Sequence, residues 1–237
     1  MKKRKKILCG GCPNMDCFVK LHFSEDQIKV IEQKKRCDYY PKKNYLFKEG
    51  DDFDRIFFLH VGKIKISNGG GYNKEQAISF IKEGDSFGYR GLLSSKTYPV
   101  SSLTLTDCHV CYVPSETLFQ IIYSDPKLAK FFITFLADSL YRDDLKLKAS
   151  SILNVREKVA NGLLGLINQF GLNESNEIDD FEFVSRQDFA DLVGLIPNQV
   201  TRVFGEFSKD GIISIKGKSI KIIKEEELKT MVKFIEL

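Results

Sequence analysis

Three of the six cysteines in this chain lie close together near its beginning, at Cys9, Cys12 and Cys17. Such short spacing, in a segment that also holds Gly, Pro and Asn, indicates a loop with metal-binding or redox chemistry. The basic start of the chain is followed by only two apolar residues, Ile7 and Leu8, too few for an export signal. We therefore expect a cytoplasmic protein, in which a disulfide scaffold is not expected because that compartment is reducing.

The segment from Ser185 to Phe204 has the residue types and spacing of a helix-turn-helix. Ser185 suits the N-cap of a first helix, Gly194 suits a left-handed turn, and Pro197 suits the first turn of a second helix. Ala190 is small where the two helices must cross closely, and the small core that they share would hold Phe189, Val193, Leu195, Val200 and Val203. An alternating segment from Ile212 to Ile223 follows as a β-hairpin. The pattern predicts a winged helix-turn-helix that binds double-stranded DNA, with a helix-turn-helix used only for protein contacts as the alternative.

In this motif the second helix lies in the major groove and its first residues face the base edges. Arg202 is suited to pair with O6 and N7 of guanine, and Asn198 or Gln199 with adenine. Thr201 is expected to be exposed beside them. The candidates for phosphate contacts, which position a protein without reading sequence, are Ser185, Arg186, Gln187, Lys216 and Lys218. For each of these polar residues the alternative is a solvated surface.

Composition is that of an ordinary globular protein and does not by itself indicate a nucleic-acid ligand. The chain is 43% hydrophobic and 29% charged, and no apolar run approaches the ~18 residues of a membrane-spanning helix, so no membrane partner is expected. The basic residues 2–6 outweigh the whole net charge of +4, so the rest of the chain is close to neutral. The prediction of DNA binding therefore rests on the local arrangement described above.

A run of short strands is predicted to precede this motif. From about residue 39 to 114, segments rich in β-branched and aromatic residues alternate with glycine turns, which is typical of a small antiparallel roll or barrel. The segments are 45–47, 55–61, 63–67, 76–81, 102–105 and 109–113. A short helix over residues 24–35 is predicted before them, with Ser24 as its N-cap.

A long helix is predicted from Lys127 to about Ser151, where neither Gly nor Pro occurs. Its apolar residues have helical spacing and include Leu128, Phe131, Phe132, Phe135, Leu136 and Leu140. A helix of about 25 residues is too long to be covered by a small roll, so we expect its aromatic stripe to pack on a second copy in a homodimer. The alternative is a helix that packs only within its own chain.

Together these segments resemble the Crp/Fnr family of bacterial transcription regulators over nearly the whole chain. The resemblance is carried by residues 46–51, 62–65, 84–88, 111–114 and 185–188. It implies an α+β fold with an N-terminal cyclic-nucleotide-binding-type β-roll, a long dimerisation helix and a C-terminal winged helix-turn-helix. We expect a cysteine-bearing loop at 1–20, the roll at 21–124, the helix at 125–152 and the DNA-binding domain at 153–237.

The resemblance also implies a signal sensed in the roll and RNA polymerase as a partner. The family's recognition helix usually carries a Glu-x-x-x-Arg pair. The Arg of this pair matches Arg202, but the position of the Glu holds Asn198. A Glu accepts a hydrogen bond from cytosine, whereas an Asn favours adenine. The half-site is therefore expected to differ from the usual one.

Cyclic AMP is not expected to be the signal. In members that bind it, Phe-Gly-Glu-Leu caps the ribose and an Arg-Ser pair holds the phosphate. Here the corresponding residues, which remain a candidate effector pocket, are Phe87, Gly88, Tyr89 and Arg90. Tyr98 and Pro99 stand at the Arg-Ser position, so both the ribose carboxylate and the anion site are missing.

The cysteines instead resemble the ligands of the oxygen-sensing Fnr branch. Cys9, Cys12 and Cys17 are similar to its N-terminal ligand run, although the second gap is one residue shorter, and Cys111 falls at its distant fourth ligand. Four thiolates suit a 4Fe–4S cluster. Because side chains alternate along a strand, His109, Cys111 and Val113 are expected on one face, where Cys111 can meet the loop.

Other uses of these cysteines stay open. The same four thiolates could bind zinc, two of them could form a redox-switching dithiol, or the thiols could be inert. In these cases the signal could be an unrelated small molecule sensed in the roll. Cys37 and Cys108 match no family role and are expected to be ordinary half-buried residues. An enzyme is not expected, because the chain has only three histidines and no phosphate-binding Gly-Lys loop or obvious nucleophile with its base.

Overall fold

The structure is a computed structural model that describes residues 8–70, 74–92 and 96–232. The basic run at residues 2–6 lies outside these ranges. The chain divides into two compact units, Met1–Leu136 and Ala137–Leu237. The four-part domain division given above stays a prediction.

Among the described residues of the first unit, eight antiparallel strands form two four-stranded sheets. In chain order the strands are β1 (Arg36–Tyr40), β2 (Tyr45–Phe47), β3 (Arg55–Val61), β4 (Ile64–Gly70), β5 (Lys74–Ile81), β6 (Ser86–Phe87), β7 (Ser101–Thr104) and β8 (Cys108–Pro114). One sheet has the order β1-β8-β3-β6 and the other β2-β7-β4-β5. The predicted roll is confirmed. Strands β1 and β6 were not among the predicted segments.

Strand β8 separates two apolar clusters. Cys108 and Val110 pack inside the roll with the aromatic and aliphatic residues of β3, while Cys111 and Val113 pack on the opposite face. This alternation follows from the two-residue period of a strand. As predicted, Cys111 faces the side on which the N-terminal cysteine loop lies.

The described residues also form eight helices. They are α1 (Phe18–His22), α2 (Glu25–Lys34), α3 (Ser115–Ser124), α4 (Pro126–Ile152), α5 (Val155–Phe170), α6 (Arg186–Val193), α7 (Pro197–Lys209) and α8 (Glu225–Met231). The predicted α2 is confirmed: Ser24 is its N-cap and forms a capping box with Gln27. The short helices α1 and α3 were not predicted.

Helix α4 matches the predicted long helix and spans 27 residues. It begins where the Asp125 carboxylate accepts hydrogen bonds from the backbone N–H groups of Lys127 and Leu128, at 2.9 and 3.3 Å. Leu128 and Phe132 are buried within the first unit. No helix in the part of the chain that the structure describes is long and apolar enough to cross a bilayer.

In the second unit, strands β9 (Ile213–Lys216) and β10 (Ser219–Ile222) pair as an antiparallel hairpin. Gly217 in the turn has a φ of +61°, a conformation that side chains with a Cβ rarely adopt. The predicted wing is therefore confirmed, and its two turn-flanking lysines, Lys216 and Lys218, are exposed.

Candidate nucleic-acid interface and cysteine cavity

Helices α6 and α7 meet as the sequence predicts. The Ser185 hydroxyl accepts from the backbone N–H of Asp188 at 3.0 Å and donates to its carboxylate at 2.6 Å, which caps α6. Gly194 ends α6 with a φ of +66°, and Pro197 occupies the first turn of α7. These local signals fix the angle at which α7 leaves the turn.

The predicted core between these helices is present. Phe189, Ala190, Val200 and Val203 are fully buried, and the Phe189 ring packs against that of Phe204 with centroids 5.2 Å apart. Leu195 is only half-buried. Burial of these apolar groups holds the outer face of α7 in a fixed position.

The first turns of α7 present a polar outer face. Asn198, Thr201 and Arg202 are exposed, and an Arg202 nitrogen donates to Glu206 at 2.7 Å. Gln199 is differently placed: it is half-buried, and its side-chain oxygen accepts from the backbone N–H of Ile196 at 3.2 Å. Because this cap occupies the Gln199 amide, Asn198 is the better candidate for reading adenine.

The candidate phosphate contacts fall into two groups. Lys216 and Lys218 on the wing are exposed, whereas Gln187 donates to Asp191 at 2.7 Å. The Arg186 guanidinium stacks on the Phe204 ring at 4.3 Å, and burial lowers its pKa. One buried Arg186 nitrogen has no hydrogen-bond partner in the described chain. Because this nitrogen is shielded from solvent, a phosphate contact by Arg186 stays a prediction.

A charged network that the sequence did not indicate ties α5 to α7. Arg156 donates to Glu206 and to Asp210, each at 2.8 Å, and Glu206 also accepts from Arg202. Glu206 thus holds the guanidinium predicted to read guanine. Its partners come from distant parts of the chain, so no short motif could have identified this network.

The four cysteines predicted as ligands come together at one cavity in the first unit. Cys9, Cys12, Cys17 and Cys111 all line it, on both the loop and the strand side. The cavity has a volume of about 20 Å³, which is room for about one water molecule. A larger group would have to displace the loop outward.

Basic and imidazole groups surround these sulfurs. Lys35 donates to the Cys9 sulfur at 2.9 Å, and the Cys12 sulfur lies 3.3 Å from Nδ1 of His60. Burial lowers the pKa of His60 and raises the pKa of the Cys17 thiol. Lys35 therefore provides a hydrogen-bond donor to the Cys9 sulfur, and the His60 ring lies within hydrogen-bond distance of the Cys12 sulfur.

The cysteine loop is docked on the glycine turn between β5 and β6. The Phe18 N–H donates to the carbonyl of Gly84 at 3.1 Å. Gly84 has a φ of +96°, and a Cβ there would lie 2.9 Å from the carbonyl oxygen of Asp16. Only glycine allows this approach, so the Gly84 turn helps to place Cys17.

Cys37 requires a correction. It was expected to be an ordinary half-buried residue, but its sulfur is bonded to that of Cys111 in a disulfide, with the Cα atoms 4.0 Å apart. The two residues face each other directly in the register of β1 and β8. Sequence reasoning missed this pair because β1 was not predicted. Cys108 is a free thiol, but it is fully buried and not half-buried as expected.

This disulfide bears on metal binding. A disulfide sulfur is not a thiolate ligand, and across the described ranges no three His, Cys, Asp or Glu side chains are arranged to hold a metal ion. The donors nevertheless suit a thiolate-ligated group in kind and share one cavity. They fit such a group only when Cys111 is reduced.

The residues that follow Cys17 pack on the first half of α4. The Phe18 ring lies 5.9 Å from Phe131 and 5.4 Å from Phe135, and His22 stacks on Phe131 at 4.0 Å. Tyr89 also meets Phe135, at 5.0 Å. The predicted dimer stripe is therefore partly covered by its own chain. The exposed apolar residues of α4 include Ile133, Leu140 and Leu147, which lie seven residues apart.

Comparison with known proteins decides the family. The cyclic nucleotide-binding domain profile matches residues 37–125, and the Crp-like helix-turn-helix domain profile matches residues 157–231. The chain belongs to the Crp/Fnr family of transcription regulators. It is a DNA-binding regulator of this type.

Relatives of this Crp/Fnr regulator share its length. It is 28% identical over 204 residues to the transcriptional activator protein Anr of Pseudomonas aeruginosa, covering 86% of this chain and 83% of the relative. It is 28% identical over 235 residues to the fumarate and nitrate reduction regulatory protein of Vibrio cholerae, covering 94% and 92%. The structure of FixK2 from Bradyrhizobium japonicum matches with a TM-score of 0.74 and 20% identity, covering 83% and 96%, which shows the shared fold.

In this Crp/Fnr regulator the candidate effector pocket is filled by aromatic side chains. Tyr98 is buried, stacks on Phe47 at 4.0 Å, and donates its hydroxyl to the carbonyl of Arg55 at 2.7 Å. Phe87 and Gly88 line this cluster, whereas Arg90 is exposed and Tyr89 contacts α4. The resemblance aligns Tyr98 with the phosphate anchor of members that bind cyclic AMP, and the absence of a cyclic AMP response stays a prediction.

Proposed function

We propose that this regulator responds to oxygen or redox state through a 4Fe–4S cluster held by Cys9, Cys12, Cys17 and Cys111. The observation that carries the proposal is that these four side chains line one cavity although Cys111 is far from the others in sequence. The name of the Vibrio cholerae relative, which refers to fumarate and nitrate reduction, supports a link to anaerobic regulation.

When bound, a cluster would supply oxidisable iron and sulfide at this cavity. The chain's own residues would do the rest. Lys35 offsets part of the negative charge of the thiolates by donating to Cys9. Cys17 directly precedes α1, so a shift of its sulfur moves Phe18, which packs on Phe131 and Phe135. A change at the cysteine cavity would thereby change the contacts that Phe18 makes with helix α4.

Helix α4 is proposed to form the homodimer. Crp/Fnr regulators act as dimers, and the seven-residue spacing of Ile133, Leu140 and Leu147 suits packing against the same helix of a second copy. A dimer would place two α7 helices in major-groove half-sites about one helical turn, ~34 Å, apart. RNA polymerase is proposed as a further partner on family grounds.

The cluster is tested by the visible spectrum and by the iron and sulfide content of anaerobically purified protein. We expect a coloured, iron-containing protein that bleaches in air and loses DNA affinity in parallel. Serine at Cys9, Cys12, Cys17 or Cys111 should abolish the colour, and the matched control Cys108→Ser should keep it. Colourless, iron-free protein that binds DNA fully after anaerobic preparation would contradict the proposal.

Zinc is the second candidate, favoured by one contact. The Cys12 sulfur lies 3.3 Å from His60 Nδ1, and mixed thiolate–imidazole sets are typical of zinc sites. Metal analysis of the same preparation separates the two candidates, because zinc would be found without sulfide and without visible colour.

A further inference from the structure

Cys37 and Cys111 are held together by the sheet itself. Cys37 on β1 lies opposite Cys111 on β8, and the flanking pairs Arg36–Tyr112 and Asp38–Val110 keep the same register. The Cα atoms are 4.0 Å apart, and the two sulfurs are bonded to each other. Since backbone pairing sets this separation, the folded sheet presents the two thiols to each other in the reduced state as well.

Cys111 faces two alternative partners. Its side chain lines the cavity with the three loop cysteines, and the same sulfur is bonded to Cys37. Cys108, three residues earlier on the strand, packs on the opposite face inside the roll and has neither option. A sulfur in a disulfide is no longer a thiolate, so the two uses of Cys111 exclude each other.

We propose that Cys37 and Cys111 form a reversible dithiol site that hydroperoxides oxidise, and that this site controls whether the Cys111 thiolate is available to the cavity. Cys37 is the more exposed of the two and Cys111 is 8% exposed. Cys37 is therefore the sulfur that meets the peroxide, and Cys111 is the resolving thiol. The consequence for the cavity rests on the proposed function, whereas the disulfide chemistry does not.

The chemistry balances without a metal. The Cys37 thiolate attacks a peroxide oxygen, an S–O bond forms as the O–O bond breaks, and an alcohol (water for hydrogen peroxide) leaves with a proton. The Cys111 thiolate then attacks the Cys37 sulfur; the S–S bond forms as the S–O bond breaks, and the hydroxide released takes a proton from solvent to become water. Both thiols are oxidised by two electrons in total, which reduce the peroxide. A small dithiol reverses the change by thiol–disulfide exchange.

The test uses full-length protein prepared with a chelator, reduced, desalted and treated with hydrogen peroxide. Free thiols are alkylated and located by peptide mass spectrometry. We expect Cys37 and Cys111 to lose alkylation together, to appear as one cross-linked peptide, and to recover after dithiothreitol. In Cys37→Ser, Cys111 should stay alkylatable after the same dose, while the control Cys108→Ser should behave as wild type.

Two results would overturn the proposal. One is a wild-type protein in which Cys111 stays reduced or pairs instead with Cys9, Cys12 or Cys17. The other is loss of Cys111 alkylation in Cys37→Ser equal to that in wild type. If a variant folds poorly, the result for the wild-type protein is sufficient to test the proposal. A reduced protein that takes up no iron and sulfide would refute the proposed cluster and leave this result unchanged.

Discussion

Gly162 on α5 offers a sharp test of how the recognition helix is supported. A Cβ at this position would lie less than 3 Å from a methyl group of Val193 and 3.0 Å from the Phe189 ring. Both neighbours are buried on α6, and Phe189 packs in turn on Phe204 of α7. A methyl group here must therefore push on α6, and through it on α7, the helix predicted to read DNA.

The expected magnitude follows from two opposing effects. Alanine is better than glycine inside a helix by about 1 kcal/mol, whereas forcing an extra carbon into a packed core costs about 1–3 kcal/mol. The contacted atoms belong to buried branched and aromatic side chains, so the packing cost should win. We expect Gly162→Ala to lower the free energy of unfolding by up to about 2 kcal/mol.

Gly165 on the same helix is the matched control, because beyond its chain neighbours and the helix's own backbone no atom of the described chain lies within 4 Å of its added Cβ. Gly165→Ala should stabilise the protein by about 1 kcal/mol, through helix propensity alone. Urea unfolding followed by circular dichroism measures both changes in stability. Fluorescence anisotropy with labelled DNA measures the DNA affinity, which depends on the position of α7. If both substitutions stabilise the protein equally, α5 and α6 do not approach as closely as described.

The remaining predictions concern DNA, the dimer and the roll. Arg202→Ala should cost about 1–3 kcal/mol on the specific site and relax one base position; an equal loss on random DNA would contradict base reading. Lys218→Ala should weaken binding to both DNAs alike and reduce the salt dependence, as expected of a phosphate contact. Leu140→Glu should give monomers with little DNA affinity, and sedimentation as an unchanged dimer would place the interface elsewhere. Cyclic AMP should show no binding by calorimetry, and micromolar affinity would refute the role assigned to Tyr98.

The helix-turn-helix could be predicted from sequence because its determinants are local. Ser185, Gly194 and Pro197 each act within one turn of their own position, and the structure places them as a cap, a left-handed turn and a helix start. The register of β1 against β8 is not local, so the pairing of Cys37 with Cys111 could not be predicted. Periodicity likewise put Phe135 on an outer stripe, since it does not reveal that Phe18 covers that position.

The contacts between α1 and α4 limit the free energy with which one cysteine loop can shift the conformation of helix α4. Phe18 meets Phe131 and Phe135, and His22 stacks on Phe131. At about 0.5–1.5 kcal/mol for each ring pair, these contacts supply roughly 1.5–4.5 kcal/mol per chain. A nearly complete shift between two states needs about 5.5 kcal/mol. The ring pairs of one loop therefore fall short of this value. In the proposed dimer the ring pairs of two loops supply roughly 3–9 kcal/mol, a range that includes it, so we expect a nearly complete response only when both protomers change.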